Sequence, residues 1–138
     1  MLDLDYLVIK FLFKSQNSMK IGDIKKELKI PHSTLGSCIK RLKQRNFVNY
    51  EPYHEVNLTK NGIELAKELN RHSRLLEVLL HKELGLDPSK AHLESEKFSL
   101  LFSCETINRI CEKYNHPEEC PCGEKILSSS VCFCEKEI

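Results

Sequence analysis

The chain has 138 residues, of which 30% are charged and 41% hydrophobic, and a formal net charge of +1. These values fit a folded soluble protein with one medium domain or two small ones. No apolar run approaches the roughly 20 residues of a membrane helix, and the apolar-rich start carries Asp3, Asp5 and Lys10 without a cleavage-like small-residue site, so neither a membrane partner nor a secretory signal is expected and the protein is expected in the cytoplasm. The small net charge hides an asymmetry: residues 1–60 carry 11 Lys and Arg against 6 Asp and Glu, whereas residues 61–138 carry 10 against 14. A basic N-terminal half fits a nucleic-acid-binding domain joined to something else.

In chain order, Leu2 to Lys14 reads as a first helix, with Leu4, Leu7, Val8, Phe11 and Leu12 nearly encircling it. Ser15 to Ser18 reads as a turn, and Ile21 to Leu28 as a short helix with Ile21, Ile24 and Leu28 inward. Pro31 cannot continue that helix, and His32, Ser33 and Thr34 open the next. Leu35, Cys38, Ile39 and Leu42 fall at i, i+3, i+4 and i+7 and make one apolar stripe. The other face carries Ser33, Thr34, Ser37, Lys40, Arg41 and Lys43. Short hydroxyls approach base edges and long cations reach phosphates, so this face suits a major groove. Taken alone, the helix also fits an ordinary amphipathic helix with a solvated basic face. The order helix, short helix, tight turn, helix is that of a helix-turn-helix. A hairpin follows: Phe47, Val48 and Tyr50, a turn from Glu51 to His54, and a return strand from Val56 to Leu58. It reads as a wing, with His54 at its tip near the sugar–phosphate backbone.

Thr59 can cap a long helix from Lys60 to Leu84, which Gly85 stops. Asp87-Pro88 opens a fifth helix expected to reach Phe102, and Ser103 caps a sixth ending near Tyr114. Leu75, Leu76, Leu79, Leu80, Leu100, Leu101, Phe102, Ile107 and Ile110 are more apolar surface than one short bundle needs, which predicts a homodimer. From Asn115 onward no period holds. The expected fold class is mainly α: a winged helix-turn-helix DNA-binding domain over 1–60, a helical dimerisation and metal-sensing domain over 61–114, and a Cys-rich tail over 115–138.

Seven cysteines are many for this length, and Cys120, Cys122, Cys132 and Cys134 crowd into the last 19 residues. Without a secretion signal, this favours metal or redox chemistry over structural disulfides. Two C-x-C pairs offer the four thiolates that a tetrahedral zinc or an iron–sulfur cluster takes. Disulfide switching and no function at all are the other readings of the tail. Cys104 and Cys111, i and i+7 on the sixth helix, are extra ligands or small core residues. His92 and Glu96 stand at i and i+4, so both point from one helix face, as a metal site or as a solvated pair.

The segments DYL, KIPHSTLGSCIKRL, NYEPYHEVNLTKNG, RHSRLLEVLL, GLDPSKAHLESE and HPEECPCGEKI, in this order, resemble the diphtheria-toxin-repressor/manganese-repressor (DtxR/MntR) family of metal-dependent transcriptional regulators, over roughly residues 3–126. The resemblance implies a homodimeric winged-helix repressor whose operator affinity depends on a bound divalent metal. It carries ligand roles to Asp5, Glu77, His92 and Glu96. It breaks at Val8, at Ser73 (with His72 one place away), and at Ser99 and Leu100, where the family has ligands.

The sequence is therefore read as a dimeric regulator, most simply a repressor, that binds double-stranded operator DNA and responds to iron, manganese or zinc or to an iron–sulfur or redox state. No enzymatic activity is expected, because no nucleophile–base pairing or phosphate-binding glycine loop is present. The alternative is an iron–sulfur or zinc metalloprotein, an electron carrier or scaffold, in which the cysteine tail is the functional part.

Overall fold

A computed structural model describes residues 3–97, 102–128 and 132–133. The elements run α1 (Asp3–Lys14), β1 (Ser18–Met19), α2 (Ile21–Leu28), α3 (His32–Gln44), β2 (Val48–Asn49), β3 (Val56–Leu58), α4 (Lys60–Leu84), α5 (Pro88–Glu96) and α6 (Cys104–Lys113). The chain divides into two compact units, 1–66 and 67–138. None of the described helices is long and apolar enough to cross a membrane.

In the first unit the stripe of Leu35, Cys38, Ile39 and Leu42 is buried, together with Val8, Ile9 and Leu12 of α1, Ile24 of α2, and Phe47 and Val56. Residues Lys29 and Asn46, both at positive φ, end α2 and follow α3, so the chain turns sharply at each end of α3. The hairpin pairs Val48 with Leu58 and Asn49 with Asn57, antiparallel. Ser18 is expected at the end of a turn, and no strand is expected at β1. Its two residues instead pair with Val56 and Asn57, giving the sheet order β1-β3-β2. A two-residue strand has no period to read, and its pairing is set by the hairpin far along the chain. Thr59 caps α4 as expected: its hydroxyl accepts from the Gly62 N–H at 3.0 Å and donates to the Asn46 carbonyl at 2.6 Å. A Cβ at Gly62 would collide with the carbonyl oxygen of Phe47, so only glycine lets the hairpin and the start of α4 approach this closely.

One ion pair ties α1 to α3. Asp5 is fully buried, and Arg41 donates to both its carboxylate oxygens, from Nε at 3.0 and 3.3 Å and from Nη2 at 2.8 Å. Burial and the neighbouring Asp5 carboxylate push the Cys38 thiol far above its ordinary pKa, so it stays protonated.

In the second unit Leu75, Val78, Ile107, Cys111 and Ile126 form a core, with Phe102, Ile110 and Tyr114 packed against it. Gly85, at φ +70, ends α4, and the Asp87 side chain caps α5 by accepting from the Lys90 N–H at 2.9 Å. α5 is shorter than expected. It ends at Glu96, where the Lys97 N–H reaches back to the Glu94 carbonyl in a tightened last turn, and Phe102 is not helical. The expected apolar pair Leu100 and Leu101 lies outside the described residues. Ser103 caps α6 through the Thr106 N–H at 3.2 Å.

The Asp5–Arg41 pair is unequally buried, since the Arg41 side chain is 34% exposed and that of Asp5 0%. Removing the arginine strands a buried anion; removing the anion leaves an arginine that can turn to water. Arg41→Ala is expected to lose about 2–3 kcal/mol of stability, discounted for the exposed partner, and Asp5→Asn about 1 kcal/mol. Urea unfolding of both variants checks this order, and the reverse order would show that Asp5 is not held chiefly by Arg41.

Candidate metal centre

Three elements of the second unit bring their polar side chains to one place. α4 supplies Arg74 and Glu77, one turn apart. α5 supplies His92 and Glu96, also one turn apart. A tight loop after α6 supplies Cys120, Cys122 and Glu124. That loop is shaped by its own backbone: the Cys120 carbonyl accepts from the Gly123 N–H at 2.9 Å, and the Cys120 N–H donates to the Glu124 carbonyl at 2.8 Å. Gly123 stands at φ +96, a conformation that favours glycine. Ile126, buried in the core, anchors the end of the loop.

The two thiols of the Cys120-Pro-Cys122 turn lie 3.0 Å apart. The Cys122 N–H donates to Glu77 Oε2 at 3.3 Å, and Cys122 Sγ lies 3.5 Å from His92 Nδ1. His92 Nδ1 is also 2.9 Å from Glu77 Oε1. The donor atoms of Glu77, Cys120 and Cys122 all lie within 4.8 Å of one another, and so do those of His92, Cys122 and Glu124. Glu77 and Cys120 are buried, while Cys122 and Glu124 are exposed, so the group opens to water on one side.

Arg74, only 1% exposed, runs through the middle. Its guanidinium donates to Glu124 Oε2 at 2.6 Å, pairs with Glu96, and lies 3.7 Å from Glu77 Oε1 and 2.9 Å from His92 Nδ1. One imidazole nitrogen cannot donate to Glu77 and accept from Arg74 at once. The tautomer therefore decides which of the two contacts is a hydrogen bond, and a metal at this nitrogen would replace both. Three carboxylates against one guanidinium leave the cluster at −2 before any thiol ionises. A divalent cation is the charge that would balance it, and two sulfurs, an imidazole and a carboxylate are donors such an ion accepts. Burial alone would raise the Glu77 carboxyl. Hydrogen bonds from Cys120, from the Cys122 thiol and N–H and from His92 outweigh it and hold the group below the usual carboxylate range. Burial, with the nearby Glu77 and Cys122, pushes the Cys120 thiol up to about 12.

Of the expected metal residues, Glu77, His92, Glu96, Cys120 and Cys122 are thus brought together. Asp5 is engaged by Arg41 in the first unit. Cys132 lies beside Cys104, 2.7 Å between sulfurs, and Cys134 lies outside the described residues, as do Ser99 and Leu100. His72, beside Ser73, is buried and faces Glu68 at 3.8 Å. Two participants went unread in the sequence. Arg74 was given no role, although it directly precedes the buried Leu75. Glu124, next to the CPCG turn, was overshadowed by the cysteines.

On α3, Ser33, Thr34, Ser37, Lys40 and Lys43 are exposed and Arg41 is half-buried. Lys43 Nζ donates to the Tyr50 carbonyl at 3.0 Å, which ties the helix to the hairpin. His54 is exposed at the hairpin turn, beside a fully exposed Tyr53.

A helix-turn-helix unit with a hairpin, joined to a helical unit that gathers metal-type donors, defines a metal-responsive DNA-binding regulator. The family model for the metal-binding and dimerisation domain of iron-dependent repressors matches residues 59–128. The chain is 34% identical over 108 residues to an uncharacterized HTH-type transcriptional regulator of Methanocaldococcus jannaschii, covering 77% of this chain and 86% of that one. It is 27% identical over 126 residues to the HTH-type transcriptional regulator MntR of Bacillus subtilis, with 91% and 88% covered. A hypothetical protein from Sulfolobus solfataricus superposes with a TM-score of 0.72 at 29% identity, covering 90% of this chain and 95% of that one. The chain belongs to the DtxR/MntR family of metal-dependent transcriptional regulators. The members of that family are transcriptional regulators rather than enzymes.

Replacing Arg74 tests whether it balances the cluster. Arg74→Met is expected to lose about 3 kcal/mol or more in chelator-treated protein, because the buried Glu77 then lacks a cation. Added zinc is expected to recover part of that loss. Denaturant unfolding with and without zinc measures both, and a variant as stable as the wild type without metal would contradict this role.

Proposed function

We propose that this protein is a homodimeric repressor whose affinity for operator DNA is set by a divalent ion held by Glu77, His92, Cys120 and Cys122, with Glu124 at the exposed edge. The observation that carries this reading is the convergence of the Cys120–Cys122 pair on Glu77 and His92. Two thiolates with an imidazole and a carboxylate suit a borderline ion such as zinc or ferrous iron better than manganese, which favours oxygen donors. An iron–sulfur cluster takes four cysteine thiolates, and this group has two, which favours a single ion. When bound, the ion supplies positive charge and fixed coordination. The chain's own residues do the rest: Glu77 holds the Cys122 N–H, His92 presents Nδ1, and Arg74 keeps Glu96 and Glu124 in reach. An ion shifts operator affinity only as far as it binds the two conformations of the dimer unequally.

In this reading α3 enters the major groove, with Ser33, Thr34 and Ser37 at base edges and Lys40 and Lys43 at phosphates, and His54 approaches the backbone from the hairpin. Arg41, held by Asp5, contributes through the position of α3 more than through a phosphate. Residues 1–60 act as the DNA-binding domain and 61–114 as the dimerisation and sensing domain, with the segment from 115 completing the metal centre. Leu76, Leu79 and Leu80 are only half-buried in the single chain, as a face that receives a second copy would be. The protein acts in the cytoplasm.

Two measurements test this. Operator binding is compared between wild type and Cys120→Ser/Cys122→Ser, each with and without zinc. The expected result is that zinc tightens binding for the wild type only; equal binding by both proteins would remove the cysteine pair from sensing. Lys40→Ala is expected to weaken binding to all sequences and reduce the salt slope by about one phosphate contact, whereas Ser33→Ala and Thr34→Ala change which sequence is preferred. Unchanged binding in all three variants would exclude α3 as the recognition helix.

A further inference from the structure

A second group of metal-type donors lies in the same unit and shares no residue with the first. Glu68 of α4 is 2% exposed. Its Oε2 accepts from the Phe133 N–H at 2.9 Å, and its Oε1 lies 3.8 Å from Cys104 Sγ, at the first residue of α6. Cys104 Sγ is 2.7 Å from Cys132 Sγ. The donor atoms of Glu68, Cys104 and Cys132 all lie within 4.8 Å of one another. One turn along α4, His72 is 3% exposed, with Nε2 3.8 Å from Glu68 Oε1. Its Nδ1 is buried without a hydrogen-bond partner among the described residues.

A carboxylate out of water is normally matched by a cation. The partners of Glu68 among the described residues are an N–H, two thiols and a histidine. That histidine faces Glu68 through Nε2, and its Nδ1 has no hydrogen-bond partner among the described residues. Among the described residues no guanidinium fills this cluster as Arg74 fills the first. Two sulfurs, a carboxylate and an imidazole are four donors, the number and type that a tetrahedral structural zinc takes.

We propose that Cys104, Cys132 and Glu68, with His72 as the fourth donor, form a second metal centre that takes zinc as a structural ion. The first cluster is exposed through Cys122 and Glu124 and suits an ion that exchanges with the medium. This one is buried or half-buried at every donor and suits an ion that stays. Its effect is to fasten residues 132–133 to α4 and α6. Phe133 is 6% exposed and its backbone is held by Glu68 itself, so metal-binding free energy there becomes folding free energy. Binding converts the two thiols to thiolates and releases their protons to solvent, with no change of oxidation state.

The test uses the full chain, reduced and purified without oxygen, with zinc alone as the probe. Elemental analysis is expected to give two ions per chain for wild type, one for Cys104→Ser/Cys132→Ser and one for Cys120→Ser/Cys122→Ser. A chelator is expected to remove the ion held by Cys120 and Cys122 first. A variant that fails to fold does not blunt the experiment, because cysteine alkylation mapped by mass spectrometry reads the wild type directly: zinc is expected to protect Cys104 and Cys132. Equal alkylation of these two with and without zinc would overturn the proposal. So would their recovery as a disulfide that persists under the reducing conditions, or one ion per chain that survives Cys104→Ser/Cys132→Ser and disappears in Cys120→Ser/Cys122→Ser. Loss of the Cys120–Cys122 ion alone would count against the sensing reading and leave this centre standing.

Discussion

Arg74 is a cation with almost no access to water, surrounded by Glu77, Glu96 and Glu124. Burying such a group is costly, and breaking a buried pair by removing one partner costs several kcal/mol because the other charge stays behind. The arrangement of α4, α5 and the loop after α6 follows from this one requirement. Glu77 must face Arg74 from the same helix, α5 must present His92 and Glu96 on one side, and the CPCG turn must close tightly enough to bring Glu124 over the guanidinium. The same geometry delivers the two thiols to Glu77 and His92. The guanidinium therefore keeps a set of anionic and sulfur donors assembled while leaving them short of two positive charges.

Much of this was legible in the residues. The helix α3 followed from Pro31, a hydroxyl-bearing start and a four-residue apolar stripe, and α4 followed from Thr59 at one end and Gly85 at the other. In each case the signal is local: a cap, a breaker or a period of 3.6. Where the determinants lie far apart in sequence, reading failed. β1 exists because Ser18 and Met19 find Asn57 and Val56, and nothing in two residues announces that. The end of α5 lacks a strong stop, so its apolar continuation suggested a longer helix than the one that forms.

The candidate site was legible in its parts and not in its grouping. Four cysteines in the tail suggested one four-thiolate centre, because spacing along the chain is all a sequence offers. Folding sets Cys120 and Cys122 against Glu77 and His92, and Cys132 against Cys104 and Glu68, which is 64 residues before it; Cys134 lies outside the described residues. Asp5, which the family resemblance marked as a ligand, is taken up by Arg41. Val8, in the same helix, is buried in an apolar core where the family has a carboxylate. Val8 in place of a carboxylate and sulfur at Cys120 and Cys122 underlie the proposed preference for a softer ion.

That shift in donor chemistry is the account's central claim, and metal selectivity tests it most directly. Operator affinity of the reduced wild-type protein is measured as free zinc and free manganese are titrated separately, each buffered, at fixed ionic strength. The account predicts that zinc tightens binding at a far lower free concentration than manganese. Equal response to both ions, or tightening by manganese alone, would contradict it.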